Sequence, residues 1–280
     1  MKTHLEITQF DINQESLRQD LIAYLTPHET QALFLLGNLQ SHFQPSFVYV
    51  AKENNRMVGV CGYYPTFQSC TIFSESAEAS RAFARTILKE HSLVNALLGM
   101  ACMVRPAYDE FVAQGREPAN APEKLFFELS MKNFKPYTSH DGAIHPITEQ
   151  DVDSVVRLHR LIHHIPTDQP VTEEERVKVR AYLVTFCLEI DGKIAAAASS
   201  NGLAIEAFQI IGVATDPAFQ RRGYAKTVCS HLILYMQKHG GKKVVLFTDD
   251  ENGAAKKCYL DLGFQITDRY YFGIFRPKFV

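Results

Sequence analysis

The stretch that decides the fold is AFQIIGVATDPAFQRRGYAKTVCSHLILYMQKHGG, residues 207–241. Its apolar start predicts a strand, and its second half repeats apolar residues at helical spacing. Between them QRRGYA, residues 220–225, holds two arginines and a glycine. A tight turn from strand to helix leaves the first N–H groups of the helix unpaired, and with the helix dipole they favour an anion such as phosphate.

Glycine has a physical reason to stand in this turn. A side chain at the point of closest approach would hold a phosphate away, and Gly223 has none. Ala225 is the next smallest residue, and Arg221 and Arg222 add positive potential. A lone glycine at a helix start is usually only a turn, however, and QRRGYA matches neither GxGxxG nor GxxxxGK[ST].

The helix that follows has one continuous apolar face. Its end is predicted at Gly240-Gly241, and Lys238 and His239 complement the dipole there. The residues predicted to be buried are Ala225, Val228, Cys229, Leu232, Ile233 and Met236.

The next two segments give the turn its context. KKVVLFTDDEN (242–252) predicts a buried strand, and GAAKKCYLDLGF (253–264) predicts a short helix that Gly263 closes. With VATDPAFQRRGYA, the segment ENGAAKKCYLDLGF resembles the signatures of the GNAT superfamily of acyl-CoA-dependent N-acyltransferases. The match is firm over about 205–264 and extends over about 143–280.

The resemblance implies an acetyl-CoA (acyl-CoA) co-substrate and assigns residues to it. The main chain of Val213, Ala214 and Thr215 would pair with the pantetheine arm. Amides of the turn would hold the diphosphate, and Asn252 would contact the cofactor before the last helix. The implied cofactor-binding residues are Val213, Ala214, Thr215, Gln220, Arg221, Arg222, Gly223, Tyr224, Ala225, Lys226 and Asn252.

The same resemblance implies the chemistry. An amine attacks the thioester carbonyl, and a main-chain N–H, that of Val213, stabilises the oxyanion. Tyr259 matches the family's general acid, since a phenol with a pKa near 10 can protonate the departing thiolate. Read by itself, Tyr259 is a packed aromatic on a short helix.

The general base departs from the family pattern. Many members use a glutamate on the strand before the turn, but the matching residue is Gln209, which cannot act as a base. Glu206, near the start of that strand, is the predicted catalytic base acting through water, and Asp249 and Asp250 are the alternatives. Each of these acids is more often a solvated turn residue.

Three histidines raise the question of a metal. His159 and His163 are four residues apart on a predicted helix, but zinc needs a third protein ligand and none stands at ligand spacing. We therefore predict no metal. The segment LIHHIPTDQPVTEEER, which includes His164, occupies the family's variable acceptor region, so these histidines are candidates to line the acceptor pocket.

The two halves of the chain share an order of predicted elements. Hairpin turns at Asn54-Asn55 and Asp191-Gly192 lie 137 residues apart. A helical pattern precedes each hairpin, and a strand and a helix follow it. The preceding helical patterns are 14–25, 29–43, 149–163 and 172–180.

This weak duplication predicts an α/β (α+β) protein of two tandem GNAT-like domains, each a mixed, mostly antiparallel sheet flanked by helices. The Pro- and Gly-rich segment 135–146 suggests the boundary. We expect a degenerate domain over 1–138, whose junction FSESAEAS lacks the glycine turn, and a catalytic domain over 139–280.

Composition narrows the class of protein. The chain has 280 residues, 46% of them apolar, and a net charge of −2, which argues against a nucleic-acid partner. The amino terminus lacks a signal-peptide core, no run is long enough to span a membrane, and the six cysteines show no CxxC spacing. These features predict a cytoplasmic protein that binds no membrane.

The sequence thus predicts an N-acyltransferase, a monomer or homodimer, that acylates an amine of a small molecule or peptide by direct attack in a ternary complex. The alternative is a non-catalytic regulatory protein that binds CoA. Gln209 favours that alternative, and Tyr259 opposes it.

Overall fold

The computed structural model describes residues 4–11, 14–40, 47–139 and 141–277. The chain folds into two compact units. Unit 1 comprises Met1–Phe126 and Thr267–Val280, and unit 2 comprises Phe127–Ile266. Each unit is a mixed sheet with helices packed on it, so the predicted fold class is confirmed.

Unit 1 follows the element order of a strand, two helices, three strands, a helix, a strand and a helix. The chain's last strand then pairs with the fifth strand, Ala96–Met100, and the short strand Pro118–Asn120 also pairs with this last strand. The elements are β1 (Leu5–Phe10), α1 (Glu15–Leu25), α2 (Leu33–Gln40), β2 (Phe47–Glu53), β3 (Arg56–Tyr64), β4 (Ser69–Ser74), α3 (Ala77–Glu90), β5 (Ala96–Met100), α4 (Ala101–Ala113) and β6 (Pro118–Asn120).

Unit 2 repeats that order of elements. Its sheet runs β7-β12-β11-β10-β9-β8, and β11 and β12 form its parallel pair. The elements are β7 (Glu123–Ser130), β8 (Ala143–Pro146), α5 (Val152–Ile162), α6 (Glu173–Arg180), β9 (Val184–Ile190), β10 (Lys193–Leu203), β11 (Ala207–Thr215), α7 (Tyr224–Lys238), β12 (Lys243–Thr248) and α8 (Gly253–Asp261). The chain's last strand, β13 (Gln265–Phe275), belongs mostly to unit 1.

The structure divides the chain differently from the boundary expected at 138/139. Strand β7 comes from the first half of the sequence but lies beside β12 of unit 2. Most of β13 comes after unit 2 in the chain but pairs with β5 of unit 1. The predicted boundary differs because each sheet is completed by a strand from the other half of the sequence. A Pro- and Gly-rich segment does not indicate such an exchange of strands.

The local predictions agree closely with the structure. Both hairpins turn through left-handed residues, with φ of +48° and +68° at Asn54-Asn55 and +49° and +75° at Asp191-Gly192. These angles suit a two-residue turn between twisted strands. The helical patterns also form helices, but the one predicted at 29–43 becomes helical only at Leu33, after a turn at 29–32, and residues 41–43 lie outside the described part of the chain. The pattern at 149–163 begins with a short 3₁₀ turn, Glu149–Asp151.

Helix α7 buries the face that its spacing predicted, and it joins the candidate site to the core of unit 2. Val228, Cys229, Leu232 and Ile233 are fully buried, while Ala225 at the helix start is half-buried. The apolar face fixes the direction of the helix, and so it fixes where its amino end points.

Candidate functional site

A cavity of about 700 Å³ opens in unit 2 at the amino end of α7. This volume is in the range of small-molecule sites. The cavity brings the two sequence motifs together, since both the turn after β11 and helix α8 line it. It is lined by every predicted cofactor-binding residue and by the predicted acid: Val213, Ala214, Thr215, Gln220, Arg221, Arg222, Gly223, Tyr224, Ala225, Lys226, Asn252 and Tyr259.

The turn between β11 and α7 has the main-chain form of an anion seat. Arg221 has a φ of +63°, and Gly223, the N-cap of α7, has a φ of +84°. Left-handed residues of this kind turn successive N–H groups toward one concave side. None of the N–H groups of residues 221–226 has a hydrogen-bond partner among the described residues.

The structure gives two reasons for glycine at position 223. Its positive φ disfavours any residue with a Cβ. A Cβ built there would also lie 2.5 Å from the hydroxyl of Tyr137. The sequence suggested one reason for glycine, the close approach of a phosphate. The structure adds the positive φ of Gly223 and its contact with the Tyr137 hydroxyl.

Strand β11 separates from β12 beside this turn. The two strands pair only from Ala207 to Gln209 on β11, although β11 continues to Thr215. Pairing with β10 shows a bulge, since one residue between Ala197 and Ser199 faces two on β11. The bulge and the separation leave main-chain groups of β11 without a neighbouring strand at the cavity.

The bulge itself consists of Gly212 and Val213. Gly212 has a φ of +63°, and a Cβ built on it would lie 2.7 Å from Nε2 of His159. Val213 follows and lines the cavity. A bulge changes the direction of main-chain N–H groups. Here it changes the direction of the N–H of Val213, the group predicted from sequence to meet the reacting carbonyl.

Helix α8 brings Asn252 and Tyr259 to the opposite wall of the cavity. The side-chain oxygen of Asn252 accepts a hydrogen bond of 3.0 Å from the N–H of Ala255, so Asn252 is the N-cap of α8. Its predicted contact with a cofactor therefore has a second explanation, since Asn is among the best N-cap residues.

Tyr259 is buried yet lines the cavity. Its ring packs edge-on against Phe127 at 5.6 Å and Phe264 at 5.8 Å between ring centroids. Burial, together with Cys229 and Cys258, raises the pKa of the Tyr259 phenol well above its ordinary value. The phenol is therefore protonated at neutral pH, as a proton donor must be.

The predicted base Glu206 is not brought to the cavity. It lies before β11, seven residues before Val213, which is roughly 20 Å along an extended strand. Its carboxylate pairs with Lys242, and its carbonyl accepts from the N–H groups of Lys242 and Lys243. The start and the end of a strand are remote from each other, so Glu206 lies far from Val213 although the two are close in sequence.

The other candidate bases do not line the cavity either. Asp250 lies 3.4 Å from the Nζ of Lys256, and the carbonyl of Asp249 accepts from the N–H of Asn252. Gln209 is 1% exposed, and its Oε1 has no hydrogen-bond partner among the described residues.

Replacement of Glu206 by glutamine is expected to leave kcat unchanged, because the carboxylate is remote from the cavity and neutralised by Lys242. Steady-state kinetics of the variant tests this placement. Its control is Lys242→Gln, which removes the same ion pair from the other side. A large loss of kcat in Glu206→Gln alone would restore Glu206 as the base.

The histidines lie on and after α5. His159 is partly buried against Gly212, and its Nε2 lacks a partner of good geometry among the described residues. Burial lowers the pKa of His159, so the ring is neutral at physiological pH. His164 has a φ of +55°. No group of three or more potential metal ligands occurs in the described ranges.

Unit 1 has no equivalent anion seat at its own strand-to-helix junction. Ser76 is the N-cap of α3, and its hydroxyl accepts from the N–H of Ala79 at 3.1 Å. Glu75, immediately before it, pairs with Arg56 and accepts from the hydroxyl of Tyr24. A capped helix end beside a carboxylate does not favour a phosphate.

Comparisons with known proteins decide the family. The model of the acetyltransferase (GNAT) family matches residues 153–264. The [ribosomal protein bS18]-alanine N-acetyltransferase of Haemophilus ducreyi is 33% identical over 132 residues, which are 46% of this chain and 88% of that protein. This chain belongs to the GNAT family of acetyltransferases. The protein of the same name from Escherichia coli K12 is 34% identical over 91 residues, 31% of this acetyltransferase and 61% of the relative.

Solved structures extend the likeness of this acetyltransferase to the whole chain, at the level of the fold. A tandem GNAT protein from the clavulanic acid biosynthesis pathway has a TM-score of 0.62 at 12% identity and covers 96% of this chain and 97% of its own. A GCN5-related N-acetyltransferase from Sphaerobacter thermophilus has a TM-score of 0.59 at 10% identity, with 99% and 98% coverage. No helix in the described ranges is long and apolar enough to cross a membrane.

Several residues of the cavity wall were not predicted from the sequence, and Tyr137 is the one farthest from the two motifs in sequence. Tyr137 lines the cavity, but it lies in the segment interpreted as a connection between domains. Nothing in its spacing marks it, because its position depends on how that segment packs on α7.

Proposed function

We propose that this acetyltransferase transfers the acetyl group of acetyl-CoA to an amine by direct attack within a ternary complex. The observation that carries the proposal is one cavity that joins the unpaired N–H groups of residues 221–226 to Tyr259. A phosphate seat and a proton donor in one cavity are what a CoA thioester requires.

The donor would be held mainly by the main chain. The N–H groups of residues 221–226 would bind the diphosphate at the positive end of the α7 dipole. The part of β11 that has no partner on its β12 side, from Val213 to Thr215, would pair with the amides of the pantetheine arm as an added strand does. Arg221 and Arg222 are exposed at this mouth and add positive charge.

The same placement assigns the chemical roles. A neutral amine attacks the thioester carbonyl, and the N–H of Val213, in the bulge, stabilises the oxyanion. When the C–S bond breaks, the phenol of Tyr259 gives its proton to the thiolate, and the attacking nitrogen loses its extra proton to water. The raised pKa of Tyr259 keeps that proton in place until the thiolate forms.

The charges at the cavity indicate which amine is accepted. Asp261 is the one acid on the wall formed by the described residues. It is held by Lys226 at 3.1 Å and Lys257 at 3.3 Å, and these contacts lower the pKa of its carboxyl group. A carboxylate paired with two lysines is a poor base, and Gln209, at the position where the family resemblance implies a glutamate base, carries no carboxylate.

An acceptor that is already neutral needs no strong base. A peptide α-amino group has a pKa of about 7.7–8.0, whereas a lysine side chain has one of about 10.4. We therefore assign a peptide or protein α-amine as the acceptor. This agrees with the relatives, which are named for acetylating an alanine of a ribosomal protein.

An amine panel tests the proposal. At pH 7.5 about a third of an α-amine is neutral, against about 0.1% of an alkyl amine. The assay measures thiol release from acetyl-CoA with two peptides. One has a free α-amine, and the other is blocked at its amino terminus and carries a lysine. We expect kcat/KM to be at least about 100-fold higher for the first peptide.

The panel also separates the alternatives. Equal rates with both amines would contradict the α-amine assignment and point to a base that lowers the barrier for alkyl amines. Tight acetyl-CoA binding without thiol release on any amine would instead support a non-catalytic CoA-binding protein.

A further inference from the structure

The segment that precedes β8 is fastened along helix α7 within unit 2. The N–H of Tyr137 donates to the hydroxyl of Ser230 at 2.9 Å, and the N–H of Ser139 donates to that of Thr227 at 3.0 Å. Ser230 and Thr227 are fully buried and three residues apart, so they lie on one face of α7. The segment is therefore fixed in register with the helix.

A third contact continues the same line. The hydroxyl of Tyr224, at the first position of α7, donates to the carboxylate of Asp141 at 3.1 Å. Farther back, the N–H of Lys135 donates to the carbonyl of Leu262 at 3.0 Å, just beyond α8. Residues 135–139 and Asp141 thus contact α7 and the residue that follows α8.

This attachment places the Tyr137 side chain at the anion seat. Its hydroxyl lies against Gly223, only 2.5 Å from where a Cβ would stand. The Nζ of Lys226 lies 4.5 Å from the ring centroid, a cation–π contact. The side chain is 36% exposed and lines the cavity, so it is reachable by a ligand.

The hydroxyl of Tyr137 has no partner for its proton among the described residues. A phenol O–H next to unpaired main-chain N–H groups adds a further donor to the same seat. The Lys226 ammonium over the ring supplies positive charge in addition. This donor set is complementary to a diphosphate.

We propose that Tyr137 is a cofactor-binding residue that donates a hydrogen bond from its hydroxyl to the diphosphate of CoA. Tyr137 then forms part of the wall of the cofactor site, in addition to the two motifs of the family. The inference rests on the proposed use of acetyl-CoA. It adds a residue from outside the matched region 153–264.

Calorimetric titration with acetyl-CoA tests this. Tyr137→Phe keeps the ring and removes only the hydroxyl, so Kd should rise about 10-fold, the effect of losing one hydrogen bond to a charged group. With S-acetyl-pantetheine, which has no diphosphate, kcat/KM should be the same for Tyr137→Phe and the wild type. Tyr235→Phe, an exposed tyrosine farther along α7, is the matched control and should bind acetyl-CoA normally.

The outcomes distinguish the inference from the proposed function. An unchanged Kd for acetyl-CoA in Tyr137→Phe would overturn the inference, as would an equal loss with S-acetyl-pantetheine. Tighter binding by Tyr137→Phe would mean that the hydroxyl competes with the phosphate, which also overturns it. Failure of the wild type to bind acetyl-CoA would instead overturn the proposed function.

Discussion

Replacement of Gly223 by glutamate is expected to abolish acetyl-CoA binding, with a Kd at least about 100-fold higher than in the wild type. Two like charges about 4 Å apart near a protein surface repel by about 4 kcal/mol, and each 1.4 kcal/mol is a factor of ten. The new carboxylate would stand among the N–H groups of residues 221–226, where the diphosphate is proposed to bind. Its side chain would also displace Tyr137.

The substitution introduces backbone strain as well, so its control must carry the same strain. Gly240 follows the same helix with a φ of +95° and open space around it. Gly240→Glu should therefore cost similar stability and leave acetyl-CoA binding intact. Calorimetric titration of both variants, with circular dichroism to check folding, gives the comparison. Normal affinity in folded Gly223→Glu would contradict the anion seat.

Replacement of Tyr259 by phenylalanine is expected to reduce kcat by about 100-fold or more, the usual contribution of a positioned general acid. The Kd for acetyl-CoA should stay the same, because the ring keeps its packing against Phe127 and Phe264. A loss confined to kcat is the signature of an interaction made in the transition state.

The pH dependence gives a second readout for Tyr259. Only the protonated phenol is active, and burial raises its pKa well above 10, so wild-type kcat should not fall between pH 7 and pH 9.5. Tyr182→Phe, a variant at the half-buried ring beside His159, is the control outside the cavity wall. A full wild-type kcat in Tyr259→Phe would remove the phenol from the mechanism.

Much of the fold was predictable because its signals are local. The left-handed turns at Asn54-Asn55 and Asp191-Gly192 mark both hairpins, and the apolar face of α7 fixes its direction. The two motifs that contain Gly223 and Tyr259 predicted most of the residues that line the cavity, since each motif fixes its own backbone.

The remaining features depend on contacts between distant parts of the chain. Strand β7, from the first half of the sequence, completes the sheet of unit 2. Strand β13, from the second half, completes the sheet of unit 1. Tyr137 reaches Gly223 only because Ser230 and Thr227 hold its segment on α7. Glu206 lies away from the cavity because a strand extends for more than 3 Å at each residue, so neighbours in sequence separate quickly.

A crystal structure of the acetyltransferase with CoA tests the central claim most directly. We expect the diphosphate within hydrogen-bonding distance of the N–H groups of residues 221–226, the pantetheine along Val213–Thr215, and the sulfur beside the hydroxyl of Tyr259. A diphosphate bound elsewhere, or a sulfur on the far side of the molecule from Tyr259, would contradict the account.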